Sequence, residues 1–316
     1  MATLPVDINT EEARQWLLEH RKQTGKSWAE LGILVDVPSG TLSPWGSGSY
    51  AAPGYKIAEK VERYRQKIDQ IARIAAPTIP TWYDTPTAAK LDNLFAWAQR
   101  GRIVVIVGSP GISKTKSAEH YRDHGSNVWL VTVSHASASA STIASNVAYV
   151  VNSRMKKGSA LGVGMAIKQR IMGTGGLLIF DEAHKLQERA IDEIRSWHDE
   201  TGIGVVLMGN EEVVGRLEDG SKLALAQIKS RVSYVHVQRE PLDDDLRALL
   251  DAWGITDEAM RAFIVTIGRK RGEGALRACT HVLEIASMTA FGAQQQLTLD
   301  HLKQAQALRL QTIGRR

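Results

Sequence analysis

The sequence predicts an α/β fold: a parallel P-loop sheet core with an all-helical, helix-turn-helix-like domain before it and a helical lid after it. Three observations predict this. Short apolar runs alternate with helix-length segments through the middle of the chain, the periodicity on either side is helical throughout, and "VVIVGSPGISKT", residues 104–115, nearly spells a phosphate-binding loop. Strands buried on both faces read as continuous apolar runs, and their alternation with helices marks a parallel, doubly wound sheet.

Residues 1–74 read as an N-terminal helical domain: "TEEARQWLLEHRKQTG", "SWAELGILVDVPSGTLSPW" and "YKIAEKVERYRQKIDQIAR". Trp16, Leu17, Trp28, Leu31, Val37, Leu42 and Trp45 are spaced as faces that pack together. The middle stretch resembles a helix-turn-helix, with Ser27 capping its first helix and Ser39 to Trp45 as the recognition helix. Pro44 is expected to shorten that helix, since proline costs a helix interior about 3 kcal/mol. Residues 75–87, "AAPTIPTWYDTPT", break both periodicities and read as a linker.

The core is expected over 88–240. It opens with the helix "AAKLDNLFAWAQRG", stopped by Gly101, and continues with the strands "RIVVIVG", "VWLVTVS", "GLLIFDE", "GIGVVLMGN" and "YVHVQ". From 241 to 316 the pattern is helical, and a small all-helical lid is expected there.

At 316 residues and 43% hydrophobic, the chain can bury a substantial core. Its apolar runs are too short to span a bilayer and its first residues resemble no signal peptide, so no membrane association and a cytoplasmic setting are expected. The single cysteine, Cys279, excludes an intramolecular disulfide and a cysteine zinc cage. The formal net charge is +5, which favours a nucleic-acid partner. No acidic residue stands between Asp123 and Asp181, whereas Arg154, Lys156, Lys157, Lys168 and Arg170 do, a one-sign stretch suited to a polyanion.

The phosphate-loop pattern GxxxxGK[ST] is met by Gly108, Lys114 and Thr115, with Ser113 in place of its second glycine. Gly108, Ser109, Pro110, Gly111, Ile112, Ser113, Lys114 and Thr115 are expected to bind ATP, with the backbone N–H groups of the loop facing its phosphates. Lys114 would reach the β and γ oxygens, and the Thr115 hydroxyl would ligate Mg²⁺. Ser113 is expected to start the helix with negative φ. In "LLIFDEAHKL", Asp181 would hold the metal through water and Glu182 would polarise the attacking water. Asn210 ends the next strand and would orient that water. Arg231 is suited to reach a neighbouring subunit's γ-phosphate, and Arg277 in "GALR" to close onto the phosphates. Trp82, Tyr83 and Thr85 are candidates for the adenine pocket.

This order of motifs resembles the AAA+ ATPases. At closer range "NVWLVTVSHASAS", "GLLIFDEAHKL", "GIGVVLMGN" and "GALR", behind a helix-turn-helix-like segment, resemble the target-DNA-capture ATPases of Mu-like transposable phages. The resemblance implies ATP-bound subunits that form a helical filament on double-stranded DNA with little sequence preference. It also implies recruitment of a cognate transposase, activation of strand transfer, and disassembly on ATP hydrolysis. By the same resemblance Arg154, Lys156, Lys157 and Lys168 would contact DNA phosphates, which position without reading sequence. Two alternatives stay open: a helicase-loader-like or insertion-element helper ATPase, and a nucleotide-gated helix-turn-helix transcription regulator. "DEAH" also invites a helicase reading, which is not expected because such a helicase needs a second motor domain that 316 residues would not hold.

Overall fold

The computed structural model describes residues 9–73, 80–154, 158–218, 223–272 and 274–313. The chain forms two compact units, Met1–Thr78 and Ile79–Arg316. The division falls inside the stretch 75–87.

The first unit holds α1 (Thr10–Thr24), α2 (Trp28–Val35), α3 (Ser39–Gly46) and α4 (Tyr55–Arg73). Ser27 and Glu30 form a reciprocal capping box at the start of α2, which satisfies two of the N–H groups that a helix start leaves without partners. Asp36 adopts a left-handed conformation, φ 58°, and turns the chain into α3. Leu17, Leu31, Val35, Val37, Leu42, Trp45, Ala58 and Val61 close around one core. Pro44 lies inside α3 instead of ending it. The carbonyl that its missing N–H leaves without a partner belongs to Gly40, which is exposed, so water can satisfy it.

The second unit is built on five parallel strands, β1 (Ile103–Gly108), β2 (Val128–Thr132), β3 (Leu177–Asp181), β4 (Gly204–Gly209) and β5 (Val232–Gln238). Their order in the sheet is β2-β3-β4-β1-β5. Between them run α5 (Pro86–Ala98) before β1, α6 (Lys114–His124), α7 (Ala140–Val150), α8 (Ala160–Ile171), α9 (Glu188–Thr201), α10 (Glu212–Glu218) and α11 (Leu223–Lys229). The helix before β1 starts two residues earlier than its apolar pattern suggests, because the Thr85 hydroxyl caps it and Pro86 fits its first turn.

Successive strand side chains point to opposite faces, and both faces are covered along β1, β3 and β4, while Tyr234, Val235 and Val237 of the edge strand β5 stay exposed. Val104, Ile106, Ile179, Val206 and Met208 pack under Leu91 and Phe95 of α5 and Ala118 of α6. Ile103, Val105, Val107, Phe180 and Leu207 pack against Ile143, Val147, Ile167, Ile194 and Trp197 of α7, α8 and α9. The result is a three-layer sandwich whose strands all end on one side, where open parallel sheets bind their ligands.

The lid consists of α12 (Asp243–Ala252), α13 (Glu258–Gly268), α14 (Ala275–Gly292) and α15 (Leu299–Ile313), around Leu246, Leu249, Ile264, Ile267, Val282, Leu283 and Leu302. A buried polar network ties it to the sheet. Thr87 of α5 donates to both carboxylate oxygens of Asp245, at 2.9 Å from its N–H and 2.5 Å from its hydroxyl. Gln238, ending β5, donates to the Thr87 hydroxyl at 2.7 Å. Asp245 is fully buried, so losing the Thr87 hydroxyl would leave a buried carboxyl oxygen one hydrogen bond short.

Candidate functional site

The loop after β1 carries the phosphate-binding residues. Gly108 lies beside Gln238 of β5, the Ser109 N–H donates to the Gln238 carbonyl, and the buried Ile112 side chain packs beneath Gly108. Lys114 opens α6 and folds its ammonium back over the loop, donating to the carbonyl oxygens of Gly108 at 2.7 Å and Ser109 at 3.0 Å. Burial pushes this ammonium below the ordinary lysine value, against the opposing pull of Asp181 and Glu182, and nearby Arg277 pushes it the same way. A triphosphate would supply the negative charge that it lacks.

Ser113 departs from the expected negative φ. It is left-handed, φ 70° and ψ 10°, and its hydroxyl makes no capping bond. An anion-binding concavity is made by alternating right- and left-handed residues whose N–H groups converge, and Ser113 occupies the left-handed place. A side chain there costs roughly 1–2 kcal/mol relative to an ordinary conformation, which is the physical reason for glycine in the pattern.

Thr115 and Asp181 meet although β4 lies between their strands. The Thr115 hydroxyl donates to Asp181 Oδ2 at 2.6 Å, and Asp181 Oδ1 accepts from the Glu182 N–H at 2.9 Å. A hydroxyl and a carboxylate so paired beside an ammonium are hard oxygen donors, and they fit a Mg²⁺ ion held chiefly by nucleotide phosphates. Glu182 is also left-handed, φ 57°. Its carboxylate meets Lys185 at 2.9 Å and His184 Nε2 at 3.5 Å. Burial raises this carboxyl, but the Lys185 hydrogen bond and charge, with His184 and Lys114, outweigh burial and hold it below the ordinary value.

Asn210 follows β4, between the strands that deliver Lys114 and Asp181. Its side chain is taken up locally, donating to Glu212 Oε1 at 3.2 Å and accepting from the Glu212 N–H at 3.0 Å. The lid closes on the loop from above. Gly274 and Arg277, at the head of α14, pack directly on Gly111, which itself has φ 87°. Trp82, Tyr83 and Thr85 line a cleft beside the start of α6, together with Thr81, Ala88, Ser113 and Lys116. The Trp82 indole stacks flat on His120 of α6, with ring centroids 3.9 Å apart. Tyr83 packs against the lid core, and burial pushes its phenol up to about 12.

Arg231 stands at the opposite end of the sheet. In the register of β1 and β5, Ile103 pairs with Val232 and Gly108 with Gln238, so a strand length of roughly 20 Å separates Arg231 from its own phosphate loop. Its Nε donates to Asp199 Oδ1 at 2.5 Å and its Nη1 to the Gln227 carbonyl at 2.8 Å.

The basic stretch divides in three. Arg154 and Arg170 are exposed, the latter with its guanidinium over the Trp129 ring. Lys168 is not a free cation: it donates to Glu200 at 2.6 Å and to Ser196 at 3.1 Å. An acid-free stretch of sequence is therefore not an acid-free surface, because α9 brings its carboxylates alongside α8. Lys156 and Lys157 lie outside the described residues. Sequence reasoning also missed Lys185, three positions from Glu182, and Gly274, Asp245 and Asp199, whose importance comes from partners far along the chain.

No described helix is long and apolar enough to cross a membrane. A family model described as "AAA domain" matches residues 98–217, and one described as "Mu B transposition protein, C terminal" matches residues 230–308. The ATP-dependent target DNA activator B of Escherichia phage Mu is 28% identical over 291 residues, covering 92% of this chain and 91% of the relative. The Mu-like prophage FluMu DNA transposition protein B of Haemophilus influenzae is 30% identical over 249 residues, covering 77% of this chain and 85% of that protein. Among solved structures, Drosophila ORC bound to DNA superposes with a TM-score of 0.51 at 14% identity, over 76% of this chain and 64% of the other, a likeness of fold alone. With the phosphate loop, the Thr115–Asp181 pair and the lid in place, and relatives alike along nearly the whole length, the chain belongs to the Mu B transposition protein family.

Proposed function

We propose that the protein is an ATPase that assembles on double-stranded DNA when ATP is bound, with little regard to sequence, and delivers that DNA to a cognate transposase for strand transfer. The observation that carries this reading is the split site. Lys114, Thr115, Asp181, Glu182 and Arg277 gather at one end of the sheet, while Arg231 stands at the other, too far to serve its own nucleotide. Such a chain hydrolyses ATP only beside a second copy, which ties turnover to assembly.

In this reading the start of α6 and Lys114 bind the phosphates, and the cleft lined by Trp82 and Tyr83 takes the base. The Glu182 carboxylate, ionised at neutral pH, leaves Lys185 to polarise the water that Asn210 orients. Arg277 closes the lid, and Arg231 of a neighbour stabilises charge on the γ-phosphate. Thr115, and Asp181 through water, would hold a Mg²⁺ ion, which would neutralise phosphate charge. The relatives described as target DNA activators support the DNA partner. Exposed Arg154 and Arg170 are candidate phosphate contacts, with Lys156 and Lys157.

The capping box and turn between α2 and α3 favour a second reading, an operator-specific regulator. Against it, α3 consists of Ser, Gly, Thr, Leu, Pro and Trp, and it lacks the Arg, Lys, Asn and Gln that make bidentate base contacts. Electron microscopy and footprinting on random-sequence duplex DNA, with and without ATP, test the choice. Continuous ATP-dependent coating without preferred sites is expected, and a single protected operator would overturn it.

A further inference from the structure

We propose that Asp199 is a positioning residue for Arg231: its carboxylate sets the guanidinium in place so that it can be presented to a neighbouring subunit's nucleotide. The inference rests on the reading of Arg231 as a residue that acts between subunits, and adds the part of its own chain that aims it.

An exposed arginine samples many rotamers, and fixing one costs up to about 2 kcal/mol of side-chain entropy. A group that must meet a phosphate at hydrogen-bond distance gains from having this ordering done beforehand. Here the fork is held along one edge. Asp199 Oδ1 accepts from Nε at 2.5 Å, and the Gln227 carbonyl accepts from Nη1 at 2.8 Å, with the Ser230 hydroxyl at 3.3 Å. Nη2 makes no hydrogen bond among the described residues and is left for an incoming oxygen.

Asp199 is itself braced. Its second oxygen accepts from Arg195 Nη1 at 2.6 Å, and Arg195 is held through Nε and Nη2 by Asp192, at 2.9 and 2.7 Å. All three lie on α9. That helix begins just past the Glu182 turn and holds Arg231 from its last turn, so one helix of about 21 Å spans from the chain's own catalytic carboxylate to the arginine that it offers a neighbour. Asp199 thus sits where a carboxylate can both orient Arg231 and tie it to the rigid frame of the site.

The test uses full-length chains on random-sequence duplex DNA, with Glu182→Gln, which binds ATP and assembles but does not hydrolyse it, as a donor of Arg231, and Arg231→Ala as the reverse. Asp199→Ala should lower kcat about 10- to 100-fold, a fraction of the about 10³–10⁵ that an arginine finger contributes, with the KM for ATP unchanged. Mixed with Glu182→Gln, it should recover activity well above its own level, because the partner supplies an Arg231 with its Asp199. Mixed with Arg231→Ala it should gain nothing over its own lowered rate, since neither chain then presents a positioned arginine. Asp199→Asn, which keeps an accepting oxygen, should lose less, and it carries the same two mixtures if Asp199→Ala does not fold. An undiminished or raised kcat, or recovery on mixing with Arg231→Ala, would overturn the proposal. If Arg231→Ala alone hydrolyses ATP normally, it is the between-subunit reading of Arg231 that fails.

Discussion

The carbonyl oxygen of Gly274, at the head of the lid, packs so tightly on Gly111 of the phosphate loop that no Cβ fits between them. Gly111 also has φ 87°, where a side chain is strained by about 1–3 kcal/mol. Gly111→Ala should therefore push the lid off the loop and weaken ATP binding at least about tenfold, the equivalent of 1.4 kcal/mol. Isothermal titration with ATP measures this. Unchanged affinity would mean that the contact between lid and loop plays no part in binding.

Ser113→Gly addresses the neighbouring strain. Relief of the left-handed side chain, offset by glycine's greater freedom in the unfolded chain, should raise stability by roughly 0.5–1 kcal/mol. For a unit of this size that is a rise in Tm of roughly 1–4 °C, with ATP affinity equal or better. A fall in both would show that the hydroxyl makes a contact the site depends on.

Lys114 links binding to pH. Its ammonium is held below the ordinary lysine value of 10.5, first by burial, and bound phosphates would raise it again. ATP binding should then take up protons at alkaline pH, and affinity should fall as pH rises through the depressed value while staying flat near neutrality. Calorimetry in two buffers of different ionisation enthalpy reads the proton count. Lys114→Ala should abolish ATP binding and the proton uptake with it.

Glu182→Gln should retain ATP binding and lose hydrolysis by about 10²–10⁴, the usual contribution of a general base. Assemblies on DNA should persist. Turnover near that of the unaltered protein would remove Glu182 from the role of activating base.

The strands and the phosphate loop were legible because a sheet buried on both faces writes itself as contiguous apolar runs, and because Lys114, Thr115 and Asp181 serve chemistry that tolerates few alternatives. What the sequence hid depends on distant partners. The positive φ of Ser113 was signalled only by the glycine that the pattern places there, while the serine itself favours ordinary backbone and led to the opposite expectation. Lys168 reads as a free cation until α9 brings Glu200 beside it, 32 positions on. Asp245 reads as one of three ordinary acids at a helix start, and only the fold brings it to Thr87, 158 positions away. Arg231 was visible as the residue before the last strand. Parallel pairing is what turns that order into a position at the far end from its own ATP site.

Mixing Arg231→Ala with Glu182→Gln on duplex DNA tests most directly whether hydrolysis is shared between subunits. Alone, neither variant should hydrolyse ATP, one for want of the arginine and the other for want of the activating carboxylate. Together they should recover part of the activity, because the intact ATP site of the first chain can meet Arg231 of the second, and the recovery should require DNA and rise steeply with protein concentration. If both variants fold and co-assemble on DNA yet the mixture stays inactive, Arg231 does not act across the interface and the split-site reading is wrong.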